Sequence, residues 1–251
     1  MRFLSTSALT RGSRGQCFRR FGSLARLAAI QALIQGALPL LAADLSTSND
    51  AKIRPEPGFI PLFDGKTLEG WIANEKPEAF VVEDGCIHCR SGFAHLFYTG
   101  PMNGHNFTNF ELRAEFKTAP GANSGIFFHT ANEGPGKVSK GYEAQICSPL
   151  HKDPAKTGSL YAIENVKESA AKDNEWNSYT IIVQGKRIIL KVNDKLIVDY
   201  SEPADPKRPK GRERRVLSSG TFALQGHEPG SDTWFRNIRV KVLPDSGGPA
   251  H

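Results

Sequence analysis

The chain has 251 residues, enough for one large domain or two small ones, and carries a formal net charge of +6. This charge is concentrated at one end, because the first 43 residues hold six arginines and no acidic side chain, while residues 44–251 carry 26 basic and 26 acidic groups. A neutral remainder argues against nucleic acid as a partner, since that binding needs a basic surface.

Residues 1–43 have the composition of an export leader. An arginine-rich start is followed by an uncharged run, Leu27 to Ala43, that ends in small residues suited to cleavage after Ala42 or Ala43. The run is short and contains glutamine, glycine and proline, so it is a poor membrane span. We predict a periplasmic or secreted protein that is not inserted in a membrane once the leader is removed. An organelle transit peptide is the alternative, because the segment is also rich in arginine and serine.

The rest of the chain predicts one all-β domain. Residues 44–58 are polar, contain proline and lack periodicity, which indicates a linker. We place the domain at 59–243, with a flexible tail at 244–251. Two apolar runs flank the turn sequence at 83–85, and 107–118 alternates with Phe110, Leu112, Ala114 and Phe116 facing inward.

Farther along, 178–201 predicts three strands joined by two short turns, and strands at 220–227 and 233–243 close the domain. After residue 43 no segment has a convincing helical pattern. Ten or more short strands separated by glycine-rich turns are typical of a β-sandwich of two antiparallel sheets.

Two strands carry an unusual polar face. In the sequence NSGIFFH, Asn123 and His129 share one parity, and in GYEAQI, Glu143 and Gln145 share another. Near the end of the domain, Gln225 and His227 share a parity opposite to two apolar residues. Solvated faces are usually richer in Lys, Thr and Ser, so we predict that these side chains converge on one concave surface. As the alternative, each could be a structural or salt-bridged group, and Asn123 and Ser124 could merely start a strand.

Cysteines and one basic run give weaker signals. The pair Cys86 and Cys89 could be half of a zinc site, but no second pair accompanies it, so we expect a hairpin strand with the two on opposite faces. With Cys147 the count is odd, so at least one thiol is free or pairs between chains. The run KRPKGRERR at 207–215 favours a solvated loop over an anion-binding one, because it contains proline and glycine.

Ten motifs in a fixed order carry a family resemblance. They are PLFDGKTLEGW, FVVEDGCI, NFELRAEFKT, NSGIFFH, GYEAQI, TGSLY, EWNSYTIIVQG, VNDKLIVDY, FALQGH and FRNIRVKVL. In that order they resemble the 3-keto-disaccharide hydrolase family across nearly all of 59–243. The resemblance implies a concanavalin-like jelly-roll fold and an exported bacterial enzyme that attacks oxidised sugars. Two departures bear on substrate choice, since the family often has Arg at the position of His129 and Asp-His-Gly where this chain has Gly226-His227-Glu228.

The implied substrate defines the chemistry to look for. A ketone at C3 of a sugar acidifies the proton on C2, so a carboxylate or histidine can remove it if the enolate is stabilised. Loss of the C1 substituent by elimination and addition of water complete a hydrolysis. We predict Glu143 as the acid or base, with His129 or His227 assisting. For substrate binding we predict Asn123, Ser124, Gln145, Lys156, Tyr161 and Gln225, whereas Trp176 is expected in the core.

Other functions remain open at this stage. Jelly-roll glucan hydrolases carry a Glu-x-Asp-x-Glu strand, and the nearest match here, ELRAE at 111–115, has Arg113 at its centre. A non-catalytic carbohydrate-binding module would need only the polar surface. The sequence indicates no cofactor. A divalent metal could stabilise the enolate, and Glu143, His129 and His227 are ligand types, but their spacing matches no recognised metal pattern.

Overall fold

The computed structural model describes residues 56–90 and 92–245, and these form thirteen strands with two short 3₁₀ helices, Pro77–Ala79 and Met102–His105. The strands are β1 Ile60–Pro61, β2 Trp71–Ala73, β3 Phe80–Glu83, β4 Cys86–Cys89, β5 Ala94–Tyr98, β6 Phe110–Thr118, β7 Asn123–Thr130, β8 Tyr142–Cys147, β9 Asn177–Gln184, β10 Arg187–Val192, β11 Lys195–Ser201, β12 Thr221–Gly226 and β13 Thr233–Val242. The predicted leader and most of the predicted linker and tail lie outside the described residues, so export stays a prediction.

The strands form two antiparallel sheets. The larger sheet has the order β11-β10-β9-β6-β13-β4-β3, with β1 paired to β13, and the smaller has the order β2-β5-β12-β7-β8. This confirms the predicted all-β sandwich, including the three consecutive strands β9, β10 and β11. Among the described residues, no helix is long and apolar enough to cross a membrane.

Strand alternation builds the core between the sheets. Along β6 the even-numbered residues are buried and the odd-numbered ones partly exposed, as predicted. Phe110 from this strand packs edge-on against Phe222 and Phe128 of the smaller sheet, with ring centroids 4.9 and 5.9 Å away. In β5, β8 and β12, and in β7 as far as Phe128, the even-numbered residues therefore face the core and the odd-numbered ones face outward. On the edge strand β2 it is Trp71 that faces the core.

Two local predictions have different outcomes. The hairpin prediction for Cys86 and Cys89 is confirmed, because β3 and β4 pair around a tight turn and both thiols are buried and free, as is Cys147. The prediction that Trp176 is core is wrong. It lies on the outer face of the larger sheet, where the guanidinium of Arg236 stacks 3.9 Å from its ring centroid.

Candidate functional site

The outward face of the smaller sheet carries polar side chains in neighbouring register. Gln145 on β8 is paired with Gly125 on β7, and Glu143 with Phe127. On the other side of β7, strand β12 places Gln225 opposite His95 of β5. Because side chains on one face of a sheet recur every second residue, these register pairs gather residues that are distant in sequence.

Loops close this face into a cavity of about 280 Å³, near the lower end of the ~300–1,000 Å³ typical of small-molecule sites. Its floor is the sheet. The loops add charged and aromatic groups from six separate connections between strands. The lining residues are Glu75, Phe93, His95, Asn123, Phe127, Gly136, Lys137, Val138, Glu143, Gln145, Asp153, Tyr161, Arg212, Arg215, Gln225 and His227.

A buried ion pair forms part of the cavity wall. Arg215 Nη2 donates to Glu143 Oε2 at 2.8 Å, and the two residues are only 2% and 4% exposed. Burial raises the pKa of Glu143 above its ordinary value, and the charge of Arg215 opposes that rise without cancelling it. The carboxylate is therefore a stronger base than a surface glutamate, yet it has a cation beside it.

The second oxygen of Glu143 has a different environment. With its amide nitrogen facing the carboxylate, Gln145 donates to Glu143 Oε1 at 3.1 Å and to the Ser124 carbonyl at 3.2 Å. Gly125 leaves room on the other side, since a Cβ there would lie 3.1 Å from Glu143 Oε1. One oxygen is thus held by arginine, while the other lies beside an amide and against the backbone of Gly125.

The loop that carries Arg215 is held in place by another buried arginine. Arg208 Nε donates to the Arg215 carbonyl, and its Nη2 donates to Tyr142 Oη at 2.6 Å and Glu202 Oε2 at 3.0 Å. The side chains of Arg208 and Glu202 are 6% and 11% exposed. The expectation that 207–215 is a solvated loop is therefore wrong for Arg208 and Arg215, whose partners lie elsewhere in the chain.

Histidines occupy the opposite side of the cavity. His95 is 6% exposed, its ring packs edge-on against Phe127, and burial lowers its pKa to about 4, so it is neutral near pH 7. His227 contacts the Glu228 carboxylate, which also lies 2.8 Å from His151 Nε2. Burial and the neighbouring His151 lower the pKa of His227 to about 4, and the charge of Asp153 acts in the opposite direction.

Most of the predicted site residues meet in this cavity. Of the six predicted to converge, Asn123, Glu143, Gln145, Gln225 and His227 line it, and Tyr161 joins them from a loop. Nothing in the geometry alone assigns a role to any of them, so their catalytic and binding functions stay predictions.

His129 lies elsewhere, which corrects its predicted placement. The pairing of β7 with β12 shifts by one residue between Thr221 and Ala223, so β7 carries a bulge, and His129 has a φ of +55°. The bulge reverses the parity expected from Asn123, and the ring packs against Phe110 while Nε2 contacts the Thr108 carbonyl. Burial lowers its pKa to about 4.

Ser124 and Lys156 also lie outside the cavity lining. The Ser124 hydroxyl is fully buried and donates to the Gln225 carbonyl at 2.7 Å, so it joins two strands. The Lys156 ammonium donates to the carbonyls of Ser148 and His151 and thereby fixes a loop. Both act within the scaffold of the site in this structure.

Sequence reasoning missed several cavity residues. The outward face of His95 could have been predicted, because it alternates with Leu96 on a short strand. Its place beside Gln225 could not, because that contact arises from the pairing of β5 with β12. For Arg215 the sequence offered no signal other than its membership of the basic run 207–215. Within 56–90 and 92–245, no group of three or more His, Cys, Asp or Glu side chains is arranged to hold a metal ion.

Comparisons with known proteins agree with this fold. Residues 58–241 match the model of a family described as the 3-keto-alpha-glucoside-1,2-lyase-like domain. The 3-keto-disaccharide hydrolase of Bacteroides thetaiotaomicron is 32% identical over 233 residues, which cover 74% of this chain and 79% of that protein.

Two solved structures of candidate glycosyl hydrolases from Parabacteroides distasonis are also similar. Their TM-scores are 0.64 and 0.56 at 22% and 24% identity, with coverage of 74% of this chain in both and of 94% and 99% of theirs. Such a likeness concerns the fold, and it confirms the predicted concanavalin-like jelly roll.

Proposed function

Because the chain belongs to the 3-keto-alpha-glucoside-1,2-lyase-like family, we propose that it is a carbohydrate-active enzyme that cleaves glycosides or disaccharides bearing a ketone at C3. The similarity to a 3-keto-disaccharide hydrolase supports the substrate class. The observation that carries the proposal is Glu143, a buried carboxylate of raised pKa on the floor of a cavity large enough for a sugar ring.

In the proposed reaction the Glu143 carboxylate removes the proton from C2, and the C–H electron pair forms the C2=C3 bond of an enolate. When the enolate collapses, the C3 carbonyl re-forms, a C1=C2 bond forms and the bond from C1 to the leaving oxygen breaks. That oxygen takes up a proton. Water then adds at C1 and a proton returns to C2, which yields the free 3-keto sugar and the alcohol.

The other cavity residues suit a sugar substrate. Asn123, Gln145 and Gln225 present amides that can donate to or accept from hydroxyl groups. Tyr161 and Phe127 offer aromatic faces to the apolar face of a ring. His227, beside Glu228, is the member of the predicted histidine pair that lines the cavity, and we assign to it the assisting role in proton transfer.

The test replaces Glu143 by Gln, which keeps the shape and a hydrogen-bonding head group. We expect turnover of 3-keto-trehalose or 3-keto-lactose to fall about 10²–10⁴-fold while calorimetric affinity largely survives, since acid–base groups contribute in that range. In D₂O the unsubstituted protein should place deuterium at C2 of the product. Each reaction is run with and without a chelator, and with the unoxidised sugars as controls.

Glu111→Gln is a matched substitution on the outer face of the larger sheet, where Glu111 pairs with Arg113, and it should leave turnover unchanged. Full activity in Glu143→Gln would remove Glu143 from the mechanism. Product without deuterium at C2 would favour direct hydrolysis. Sugar binding without turnover in the unsubstituted protein would point to a carbohydrate-binding module instead.

A further inference from the structure

We propose that Arg215 is a second catalytic residue, whose Nη1 binds the C3 carbonyl oxygen of the substrate and stabilises the enolate formed when C2 is deprotonated. This inference rests on the proposed function and adds the group that the enolate requires. Deprotonation beside a ketone moves negative charge onto the carbonyl oxygen, so a donor or cation at that oxygen lowers the barrier.

The two nitrogens at the end of the Arg215 side chain have different surroundings. Nη2 donates to Glu143, whereas Nη1 is buried and has no hydrogen-bond partner among the described residues. A buried donor without a partner destabilises the protein, and more so when it is charged. Since Arg215 also lines the cavity, a substrate oxygen is the partner that fits the unsatisfied nitrogen.

The aromatic neighbours of Arg215 do not replace that partner. The guanidinium carbon lies 5.4 Å from the Tyr161 ring centroid and 5.9 Å from that of Phe127. Such contacts stabilise the cation through its face and leave its in-plane N–H groups free to donate. The hydrogen bond from Arg208 to the Arg215 carbonyl fixes the backbone from which the side chain extends. The donor is therefore positioned before a substrate arrives.

The pairing with Glu143 matches the connectivity of the substrate. In a 3-keto sugar, the carbonyl oxygen and the proton to be removed are on adjacent ring carbons. A guanidinium that pairs through one nitrogen with the base and through the other with the carbonyl would place both beside the same C2–C3 bond. An unoxidised sugar has no carbonyl there, so the arrangement also selects for the ketone.

The experiment measures exchange at C2 rather than glycoside cleavage. The product, 3-keto-glucose, carries no sugar or alcohol at C1 to be released. Its C2 proton exchanges with D₂O through the enolate whether or not the C1 hydroxyl is lost and regained, so proton NMR follows the rate of enolate formation. We expect the unsubstituted protein to catalyse this exchange and Arg215→Lys to lower the rate by about 10²–10³-fold, the usual effect of losing one oxyanion donor. Lysine keeps the charge beside Glu143 but lacks a second in-plane nitrogen.

The same substitution in a Glu143→Gln background separates direct action from positioning. If Arg215 acts on the substrate, the slow residual exchange of Glu143→Gln falls again when Arg215→Lys is added. If Arg215 only holds Glu143, the second substitution changes nothing, and the inference is overturned. Arg214→Met, an exposed neighbour paired with Glu133 on the surface, is the matched control and should exchange at the unsubstituted rate.

Thermal unfolding of each variant and its affinity for the unoxidised disaccharide show that the cavity is intact. Exchange by Arg215→Lys at the unsubstituted rate overturns the inference alone and leaves the proposed function standing. No exchange and no cleavage of keto-glycosides by the unsubstituted protein overturns both.

Discussion

Glu143 is subject to two opposing influences on its charge. It is almost fully buried, which destabilises its charged form, and it pairs with Arg215, which stabilises that form. Removing only one member of such a pair leaves an uncompensated buried charge. Studies of either residue should therefore use substitutions that keep polarity or charge, as Gln and Lys do.

Gly125 lies directly beside Oε1 of Glu143, so Gly125→Ala tests whether the position of this carboxylate matters to activity. The new methyl carbon would lie 3.1 Å from both Cγ and Oε1 of Glu143 and would push the carboxylate aside. The carboxylate must move by a few tenths of an ångström. Since a displacement of about 1 Å can cost 10²-fold in rate, we expect kcat/KM to fall measurably but by less than about 10²-fold. The strain of an added methyl group should lower stability by about 1–3 kcal/mol.

Steady-state kinetics and thermal unfolding of this variant check both expectations. Unchanged kcat/KM in a folded Gly125→Ala protein would mean that the position of Glu143 does not matter to the reaction. Because the alanine backbone needs no unusual dihedral here, any loss comes from the contact with Glu143.

Strand parity is the part of the site that local sequence can reveal. The cavity face carries four residues that alternation predicted, Asn123, Glu143, Gln145 and Gln225. Their face could be predicted because alternation along a strand does not depend on which strands pair with it. His129 breaks the rule through a bulge, which depends on how β7 pairs with β12. Register across strands, and therefore bulges, is set by non-local pairing that alternation does not encode.

The loop at 202–220, between β11 and β12, is a second case in which local sequence does not reveal long-range contacts. Its arginines look solvated in sequence because charge, proline and glycine usually mark a surface loop. Arg208 is buried instead, because Tyr142 and Glu202 provide oxygens for it, and one of these lies 66 residues away. A local pattern cannot identify such partners.

This loop should be a single structural unit anchored by Arg208. Replacing Arg208 by Met leaves Glu202 buried without its cation, and breaking a buried pair costs about 3–5 kcal/mol. We expect a large fall in unfolding free energy, measured by urea titration. We also expect kcat to fall more than the affinity for sugar, because Arg215 loses its support.

Arg187→Met is the matched control for this substitution. Arg187 pairs with Asp199 on the exposed surface of the larger sheet, where ion pairs contribute little, so stability should hardly change. Equal effects of the two substitutions would contradict the anchoring role of Arg208. An Arg208→Met protein with normal stability and normal kcat would do so as well.

At the scale of the whole molecule, the burial pattern of the strands could be predicted from the sequence, but their order in the two sheets could not. The alternating strands predicted an all-β core correctly, because burial of one face is a local property repeated along each strand. The order of strands in each sheet was not predictable, since β5, β12, β7 and β8 come from distant parts of the chain. The cavity exists only because that order brings them together.

Buried histidines should make the whole fold sensitive to acid. Burial lowers the pKa of His95 and His129 to about 4 each, whereas in an unfolded chain a histidine titrates near 6.5. Between these values the unfolded state binds more protons, so their stabilising contribution is complete above pH ~6.5 and is lost as the pH falls toward ~4. The loss is on the order of 3 kcal/mol for each.

Glu143 acts in the opposite direction, because its raised pKa lets the folded state take up its proton first. The test therefore compares how steeply the unfolding free energy changes with pH in different variants, and does not rely on its absolute slope in one protein. Urea titrations from pH 7 to 4 should show a clear fall in unfolding free energy for the unsubstituted protein and a shallower fall for His129→Gln, which lies outside the cavity. His105→Gln, at an exposed histidine, should follow the unsubstituted slope. A slope unchanged by His129→Gln would mean that this ring is not kept neutral by burial, and that acid acts on the fold through other groups.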